Sequence, residues 1–477
     1  MKKDGELVKG TNASMQDHRK FQSNETSLKK IDHFKETYWL NHVSHVDCAD
    51  ITDQNNPQPA CVTIDMSSPN IGKLMSLNHI RSTIVGHALQ KIYQYTGYKT
   101  VTINHKGDTG DYLTLLVFAI QTWGDEVTND KCPLRAFTRL LRKFHEEVDL
   151  NPELEDQIYY VNRQLAKENS AAAKILADIY KQSNQAFDGI YNRFNVHFDL
   201  NRYESAYLDQ AEAWIDQMVD GGIAEADEET VTLSLEQYDL PLGLLKNSQP
   251  LYLARDIVSA RDTAKKYQSD LNLYVVGNEQ TTHFNQVVAS LDKYTDVDAD
   301  EFIHDALGYT AVLGKRHFNL KHEIKDIHDL LAKLEAELRD KSREFTFLNR
   351  DDQIFKMASN SLTYALLNQK RLAGIDLDFD TIVDEKGATA LHIAKTYHLL
   401  HAELGETASS STQDVSESFK QAIYQAYMAD EPYYIAQYLN ILCQEVDKYP
   451  PVTAKDIQLA LNEFNLAFQL LGLDMTV

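Results

Sequence analysis

The spacing of apolar and polar residues changes several times along the chain, and each change predicts a different kind of structure. Residues 1–59 are polar except for one short apolar stretch. A β-rich run, ACVTID, occupies 60–65, a helical pattern runs from Asn78 to about Tyr95, and a second β-rich run, YKTVTINH, occupies 98–105. A strand, a helix and a strand in this order form a βαβ unit, so we expect a parallel sheet.

A long helical stretch is predicted to divide this sheet into two halves. From about 121 to 240 the apolar residues recur with helical spacing, as in LADIYKQSNQAFDGIYNRF. β-Rich runs return as LYLARDIV at 251–258 and LNLYVVGNEQ at 271–280, and after about 320 nearly every segment is helix-periodic. The sequence therefore predicts an α/β protein with a Rossmann-type parallel sheet split by a helical insertion, followed by an all-α C-terminal bundle.

The same changes of pattern predict where one region ends and the next begins. We expect a reduced N-terminal segment, two halves of a sheet domain, the helical insertion between them and a helical C-terminal domain. The predicted N-terminal segment is 1–59, and the two sheet halves are 60–120 and 241–345. The insertion is 121–240, and the C-terminal domain is 346–477.

Charge and cysteine content narrow the possible partners and compartment. The 477 residues include 47 basic and 71 acidic side chains, a formal net charge of -24, which opposes non-specific binding to a phosphate backbone. The four cysteines are far apart and lack zinc-site spacing, which is typical of a reducing cytoplasm. The longest apolar run, YLTLLVFAI at 112–120, is too short to cross a bilayer. We expect a cytoplasmic protein that has no metal site and does not bind membranes.

Polar residues gather where the predicted strands end. Asp65 and Asn70 follow the first strand, and the loop HKGDTG, with Asp108, follows the second. Ligands of open α/β sheets bind at this edge. Tyr252 and Asp256 are four residues apart and share a face if their segment turns helical. Ordinary roles as caps and core residues are the alternative for each side chain taken singly.

In order and spacing, these motifs resemble the arginyl-tRNA synthetases, a class I aminoacyl-tRNA synthetase family. SSPNIGKLMSLNHIRST at 67–83 is similar to the family's strand-to-helix signature, and HKGDTG is similar to its next loop. The later similarities are GIYNRFNVHFDLNRYES, YLARDI, YVVGNEQTTHF and LLGLDMTV. The resemblance extends from about 60 to 477 and implies an anticodon-binding-like C-terminal domain.

The resemblance also implies a site for L-arginine or another guanidino compound. Carried over by motif, its residues are Asp65, Asn70, Tyr252, Asp256 and Gln280. Tyr252 and Asp256, with Asp65, would take the guanidinium, and Asn70 and Gln280 would take the α-amino group. Two carboxylates close together repel each other when the site is empty, which favours a cationic ligand.

The part of the site that would handle ATP, with Mg²⁺, departs from the family. Where the family has a His-x-Gly-His signature, this chain has Ser76, Asn78 and His79. Catalytic roles would fall to Ser76, His79 and Lys73, the lysine just before the signature. His283, in the THF segment, could line the nucleotide site or be a structural imidazole, and the GKRHFNLKHEIKD segment could meet phosphate. The expected ATP-binding set is Ser76, Asn78, His79, His283, Lys315 and Lys321. The last two lysines could equally be the solvated start of a helix.

Three functions remain open on the sequence. The chain could ligate arginine to tRNA slowly, bind arginine as a sensor that regulates an unknown protein partner, or join arginine to an acceptor other than tRNA. The first predicts arginine-dependent exchange of pyrophosphate into ATP, and the second predicts arginine binding without ATP turnover. The acidic charge and the short N-terminal segment predict that any tRNA binding is weak.

Overall fold

The computed structural model of the protein describes residues 25–43, 59–126, 132–312, 324–404 and 414–475. Lys315 and Lys321, predicted to contact ATP, lie outside the described residues. None of the described helices is both long and apolar enough to cross a membrane.

Eleven strands and sixteen helices are named here in chain order within that part of the chain. The strands are β1 Cys61–Met66, β2 Lys99–Lys106, β3 Leu200–Tyr203, β4 Ala224–Ala226, β5 Thr230–Leu233, β6 Leu242–Lys246, β7 Gln249–Pro250, β8 Leu271–Val275, β9 Phe302–His304, β10 Thr310–Val312 and β11 Ile375–Leu377. The helices are α1 Glu25–His42, α2 Leu77–Tyr95, α3 Tyr112–Trp123, α4 Pro133–Val148, α5 Leu154–Leu165, α6 Ala171–Arg193, α7 Leu208–Asp220, α8 Tyr252–Tyr267, α9 Thr281–Tyr294, α10 Ile327–Lys341, α11 Asp351–Leu367, α12 Phe379–Ile382, α13 Ala390–Leu404, α14 Glu417–Ala429, α15 Tyr433–Lys448 and α16 Ala454–Leu471.

The main sheet is parallel and has five strands in the order β3-β2-β1-β8-β9. Every residue of the central strand β1 is buried, as expected for a parallel strand covered on both faces. Its Asp65 pairs with Ile103 on one side and Tyr274 on the other. The predicted α/β fold class, with a split parallel sheet and a helical C-terminal region, is confirmed.

Two details of the prediction differ from the structure. The run at 251–258, predicted as a strand, is the first half of helix α8, because its apolar residues continue at helical spacing and bury Leu253, Ala254, Ile257 and Val258. The insertion is not entirely helical: it contains β3 of the main sheet, and an antiparallel sheet of β4 to β7 overlaps its predicted end. A four-residue strand within helical sequence gives too short a periodic signal to detect.

Helix α2 lies against the end of β1 at Gly86. A Cβ atom at this position would stand 2.4 Å from Sδ of Met66 and 2.6 Å from its Cβ. Arg81 on the same helix donates to the backbone carbonyls of Gly308 and Ala373, each at 2.9 Å. The helix is thus fixed both to the sheet and to the segments that lead into the C-terminal bundle.

A buried ion pair joins the N-terminal helix to the C-terminal bundle. Nζ of Lys35 on α1 lies 2.7 Å from Oδ1 of Asp430, and neither side chain is appreciably exposed. Tyr93 on α2 donates its hydroxyl to the same oxygen at 2.6 Å. One carboxylate therefore connects three parts of the fold.

The packing at Gly86 gives a first prediction. Gly86→Ala should lower the free energy of unfolding by about 1–3 kcal/mol, because the added methyl group overlaps Met66. Gly189→Ala is the matched control: Gly189 lies within α6 with no atom within 4 Å of an added Cβ, so this variant should gain about 0.5–1 kcal/mol. Urea unfolding of the wild type and the two variants measures both changes in the free energy of unfolding. A Gly86→Ala protein as stable as the wild type would contradict the close contact between Gly86 and Met66.

Candidate functional site

The end of β1 turns sharply and brings Asn70 next to the loop after β2. Ser67 and Ser68 have φ angles of 72° and 50°, in the left-handed region that non-glycine residues seldom adopt. Main-chain hydrogen bonds then join this turn to Gly107: Ile71 N–H donates to its carbonyl at 2.8 Å, and Gly107 N–H donates to Pro69 at 3.1 Å. A Cβ on Gly107 would stand 2.3 Å from Oδ1 of Asn70, so glycine is required there for the amide to fit.

Asp65 is buried at the carboxyl end of the central strand. Its Oδ1 accepts a hydrogen bond from the Ser68 hydroxyl at 3.0 Å, and its Oδ2 lies 3.9 Å from Nη2 of Arg202 and 4.0 Å from Nδ1 of His105. The pKa of Asp65 is raised to about 6: burial is the main cause and the nearby Asp256 adds to it, whereas Arg202 and Ser68 oppose the shift. This carboxylate is ionised at neutral pH in surroundings that disfavour its charge.

Tyr252 and Asp256 begin helix α8 on the opposite side of the site. Oδ2 of Asp256 lies 2.6 Å from Nε2 of His283, and the Tyr252 ring contacts the His283 ring edge-on with centroids 4.7 Å apart. Tyr252 is 56% exposed and borders a cleft of about 420 Å³ together with Leu240, so it is not a core residue. His283 thus connects the two predicted guanidinium contacts.

Gln280 is the remaining predicted residue of the arginine site. Gln280 ends a short 3-10 turn before α9, is exposed, and donates its main-chain N–H to Gly277 at 3.0 Å. Tyr252 and Asp256 share the neighbour His283, and the charge of Asp256 acts on Asp65. Asn70 lies against Gly107 in the loop after β2. Their roles in binding stay predictions.

Sequence analysis missed charged residues that belong to this site, among them Glu204 and Arg255. Glu204 accepts a hydrogen bond from the Thr109 hydroxyl and lies 3.3 Å from Nη2 of Arg255. Nη1 of Arg255 donates to the Pro250 carbonyl at 2.8 Å. Burial raises the pKa of Glu204, and Asp256 adds to the rise. Both residues lie inside motifs that carry the family resemblance, Glu204 in NRYES and Arg255 in YLARDI. Their position within these motifs was the sequence signal that could have identified them.

Asp108, which the sequence placed at this edge, is a structural anchor. Its carboxylate accepts hydrogen bonds from Tyr180 at 2.8 Å, from the main-chain N–H of Ser205 at 2.8 Å and from the Ser205 hydroxyl. It therefore fixes the loop after β2 to the segment after β3, and this supports the position of Glu204.

The amino end of α2 is closed by its own side chains. The Ser76 hydroxyl accepts from the main-chain N–H of His79 at 3.2 Å, and Nδ1 of His79 accepts from the main-chain N–H of Ser76 at 2.9 Å, which together form a capping box. Burial lowers the pKa of His79 to about 4, so the ring is neutral at physiological pH. Neither side chain supplies positive charge there.

The neighbouring groups do not compensate for that missing charge. Nδ2 of Asn78 lies 3.4 Å from Oε1 of Glu279, so an amide and a carboxylate meet in front of the helix. Nζ of Lys73 lies 3.8 Å from the centroid of the Tyr112 ring, a cation–π contact. In the ranges that the structure describes, the polar atoms at this end are thus directed at neighbouring side chains, and Lys73 is a cation held against an aromatic ring.

Comparison with known proteins decides the family. Residues 43–376 match the sequence model described as "tRNA synthetases class I (R), catalytic domain". The chain belongs to this arginyl-tRNA synthetase family. Arginine--tRNA ligases from several strains of Streptococcus pneumoniae are 28% identical to it over 419 residues, which cover 83% of this chain and 74% of theirs.

Solved arginyl-tRNA synthetases share the fold of this family member. The Thermus thermophilus enzyme superposes with a TM-score of 0.69 at 16% identity and covers 92% of this chain and 85% of its own. The Plasmodium falciparum enzyme gives 0.65 at 18% identity, with coverage of 94% and 82%. At such identities the likeness shows the fold alone, so the chemistry must be argued from the residues of this synthetase homologue.

The capping box gives the second prediction. His79→Gln keeps the box, because glutamine is a usual partner at that position, and removes the titrating ring. The folded-state pKa of about 4 lies below the ordinary 6.5, so the unfolded chain binds the proton more readily and stability is lost as the pH falls through this range. Between pH 7 and pH 5 the wild type should lose about 1–2 kcal/mol more than the variant in urea unfolding. Equal losses would contradict a buried neutral His79.

Proposed function

We propose that this arginyl-tRNA synthetase homologue binds L-arginine or a related guanidino compound at the carboxyl edge of its parallel sheet. Its family implies arginine, ATP and tRNA as substrates. We further propose that ATP-dependent ligation of arginine to tRNA is weak or lost in this chain. The reason is that the amino end of α2, which would handle ATP, departs further from the family's residues than the arginine-binding end does.

The grouping of carboxylates supports the ligand. Asp256 disfavours ionisation of both Asp65 and Glu204, so the three share one electrostatic neighbourhood. A bound cation relieves this repulsion, and a planar guanidinium can donate to a carboxylate through two N–H groups at once. The single observation that carries the proposal is the position of Asp256, part-exposed beside the half-exposed Tyr252 and therefore accessible to a ligand.

Each residue then has a defined task in binding. Asp256 accepts from the guanidinium, while Tyr252 covers it from the solvent side. The Asn70 amide, fixed against Gly107, offers its oxygen to the α-amino group, and Gln280 closes the rim. His283 orients Asp256 through the 2.6 Å contact between Nε2 and Oδ2.

The capped amino end of helix α2 supports the proposal of weak ATP chemistry. Transition-state charge on phosphates is stabilised by positioned donors, and removal of one such donor typically slows a reaction about 10²–10³-fold. Ser76 and His79 use their polar atoms on each other, and Asn78 adds a side chain beside Glu279. The net charge of -24 adds a general repulsion towards tRNA.

A working ligase is the second candidate, because the family match is continuous from 43 to 376. It differs from an arginine sensor in one measurable respect, arginine-dependent exchange of pyrophosphate into ATP. Exchange that rises further when tRNA is added would favour the ligase. Arginine binding without exchange would favour the sensor or an acceptor other than tRNA.

The ligand gives the third prediction. Isothermal titration of the wild type with L-arginine should show saturable binding, and Asp256→Asn should weaken it at least about tenfold, or 1.4 kcal/mol, because the carboxylate that accepts the guanidinium is lost. Asp296→Asn is the matched control: Asp296 is 68% exposed and pairs with Lys265 at the surface, so arginine affinity should not change. Absence of arginine binding to the wild type would refute the proposed ligand.

The diverged signature gives the fourth prediction. Ser76→His with Asn78→Gly restores the family's residues and frees the space beside Glu279. If the cation-binding part of the site is intact, arginine-dependent pyrophosphate exchange should increase about tenfold or more over the wild type. Adding Asp256→Asn to this double variant should abolish the gain. An unchanged rate, with arginine still bound, would mean that the loss of activity has another cause.

A further inference from the structure

Arg202 is a charged side chain buried inside the candidate site. It lies on β3 opposite His105 of β2, and 8% of its surface is exposed. Side chains alternate between the two faces of a strand, so Arg202 and His105 share the face that carries Asp65. This face is covered by helix α8, whose Thr263 contacts Arg202.

One nitrogen of the Arg202 guanidinium, Nη1, makes two hydrogen bonds on this face of the sheet. Nη1 donates to the Tyr207 hydroxyl at 2.8 Å and to the Thr263 hydroxyl at 2.7 Å. The guanidinium carbon lies 5.3 Å from the centroid of the Tyr207 ring, within cation–π range. These contacts fix the group in place before any ligand arrives.

The other edge of the same guanidinium points towards Asp65. Nε and Nη2 have no hydrogen-bond partner in the part of the chain that the structure describes, and Nη2 lies 3.9 Å from Oδ2 of Asp65. That separation is too long for a hydrogen bond but gives a strong attraction between buried charges. Arg202 lowers the pKa of Asp65 and so opposes the effect of burial.

We propose that Arg202 is a resident guanidinium that neutralises Asp65 and thereby leaves Asp256 as the carboxylate that holds the ligand's guanidinium. This inference rests on the proposed ligand site and replaces the expectation that Asp65 helps to bind that guanidinium. Arg202 is a specificity-determining residue: it occupies the space beside Asp65 and supplies the charge that a second cationic group would otherwise bring.

Chemical rescue tests the pairing. Arg202→Ala should lower Tm and open a space beside Asp65. Methylguanidinium at ten times its Kd should then raise Tm of the variant by about 1–2 °C. Methylguanidinium could also bind at Asp256, so every protein in this comparison carries Asp256→Asn. The parent protein that keeps Arg202 should then show no shift beyond that produced by equal sodium chloride, because its own side chain fills the space beside Asp65. Arg339→Ala, which removes a 56% exposed guanidinium at the surface, is the matched control and should not be rescued.

A second substitution identifies the partner. Arg202→Ala combined with Asp65→Asn should not respond to methylguanidinium, since the carboxylate that binds it is gone. Rescue that persists without Asp65, or an equal shift in the parent protein that keeps Arg202, would overturn the proposal. If Arg202→Ala does not fold, Arg202→Met fills the space without charge and should bind L-arginine about fivefold more tightly at pH 8, because Asp65 becomes available. Unchanged or weaker binding would also overturn it.

The two proposals fail in different ways. Loss of the methylguanidinium effect, with arginine still bound by wild type and weakened by Asp256→Asn, would remove only the role of Arg202. Absence of arginine binding to the wild type, with the rescue intact, would remove the ligand but keep the internal pairing.

Discussion

A carboxylate buried at the end of a central parallel strand must have a cation close by, and this requirement organises the site. Asp65 lies between the strands that carry Ile103 and Tyr274, where water is largely excluded. The cost of burying its charge is large, and Arg202 reduces it from within the fold. Strand β3 and helix α8 must both be in place for that contact, so the electrostatics of the site depend on the complete sheet.

At the other end of the site, two uses of a helix terminus compete. The first N–H groups of a helix lack partners within it and can receive either a ligand anion or a capping side chain. In α2 the hydroxyl of Ser76 takes the N–H of His79. Each N–H satisfied internally is one less available to phosphate, and the neutral His79 adds no charge. The contacts that stabilise the helix end would therefore also account for the weak ATP chemistry that we propose.

Sequence patterns could predict the architecture and the location of the site because both follow from long or repeated signals. Two β-rich runs around a helix indicate a parallel sheet, and the polar residues after them indicate its ligand-binding edge. Short signals failed: β3 has four residues, and α8 begins with an apolar run that also suits a strand. Arg202 could not be placed because which strand lies beside β2 depends on tertiary pairing. The box at Ser76 went unpredicted because histidine replaces the usual glutamate or glutamine.

The carboxylates differ in what their presence implies about function. Asp65 is held by Ser68 and Arg202 inside the protein, so its removal leaves an unpaired buried guanidinium and costs stability whether or not a ligand binds. Asp108 likewise anchors a loop. Asp256 contacts His283 at the mouth of the site and is 30% exposed, so packing requires it least. A carboxylate that the fold does not require, placed beside an exposed tyrosine, is the feature that ligand binding explains best, and Asp256 therefore informs on function more than the buried Asp65 does.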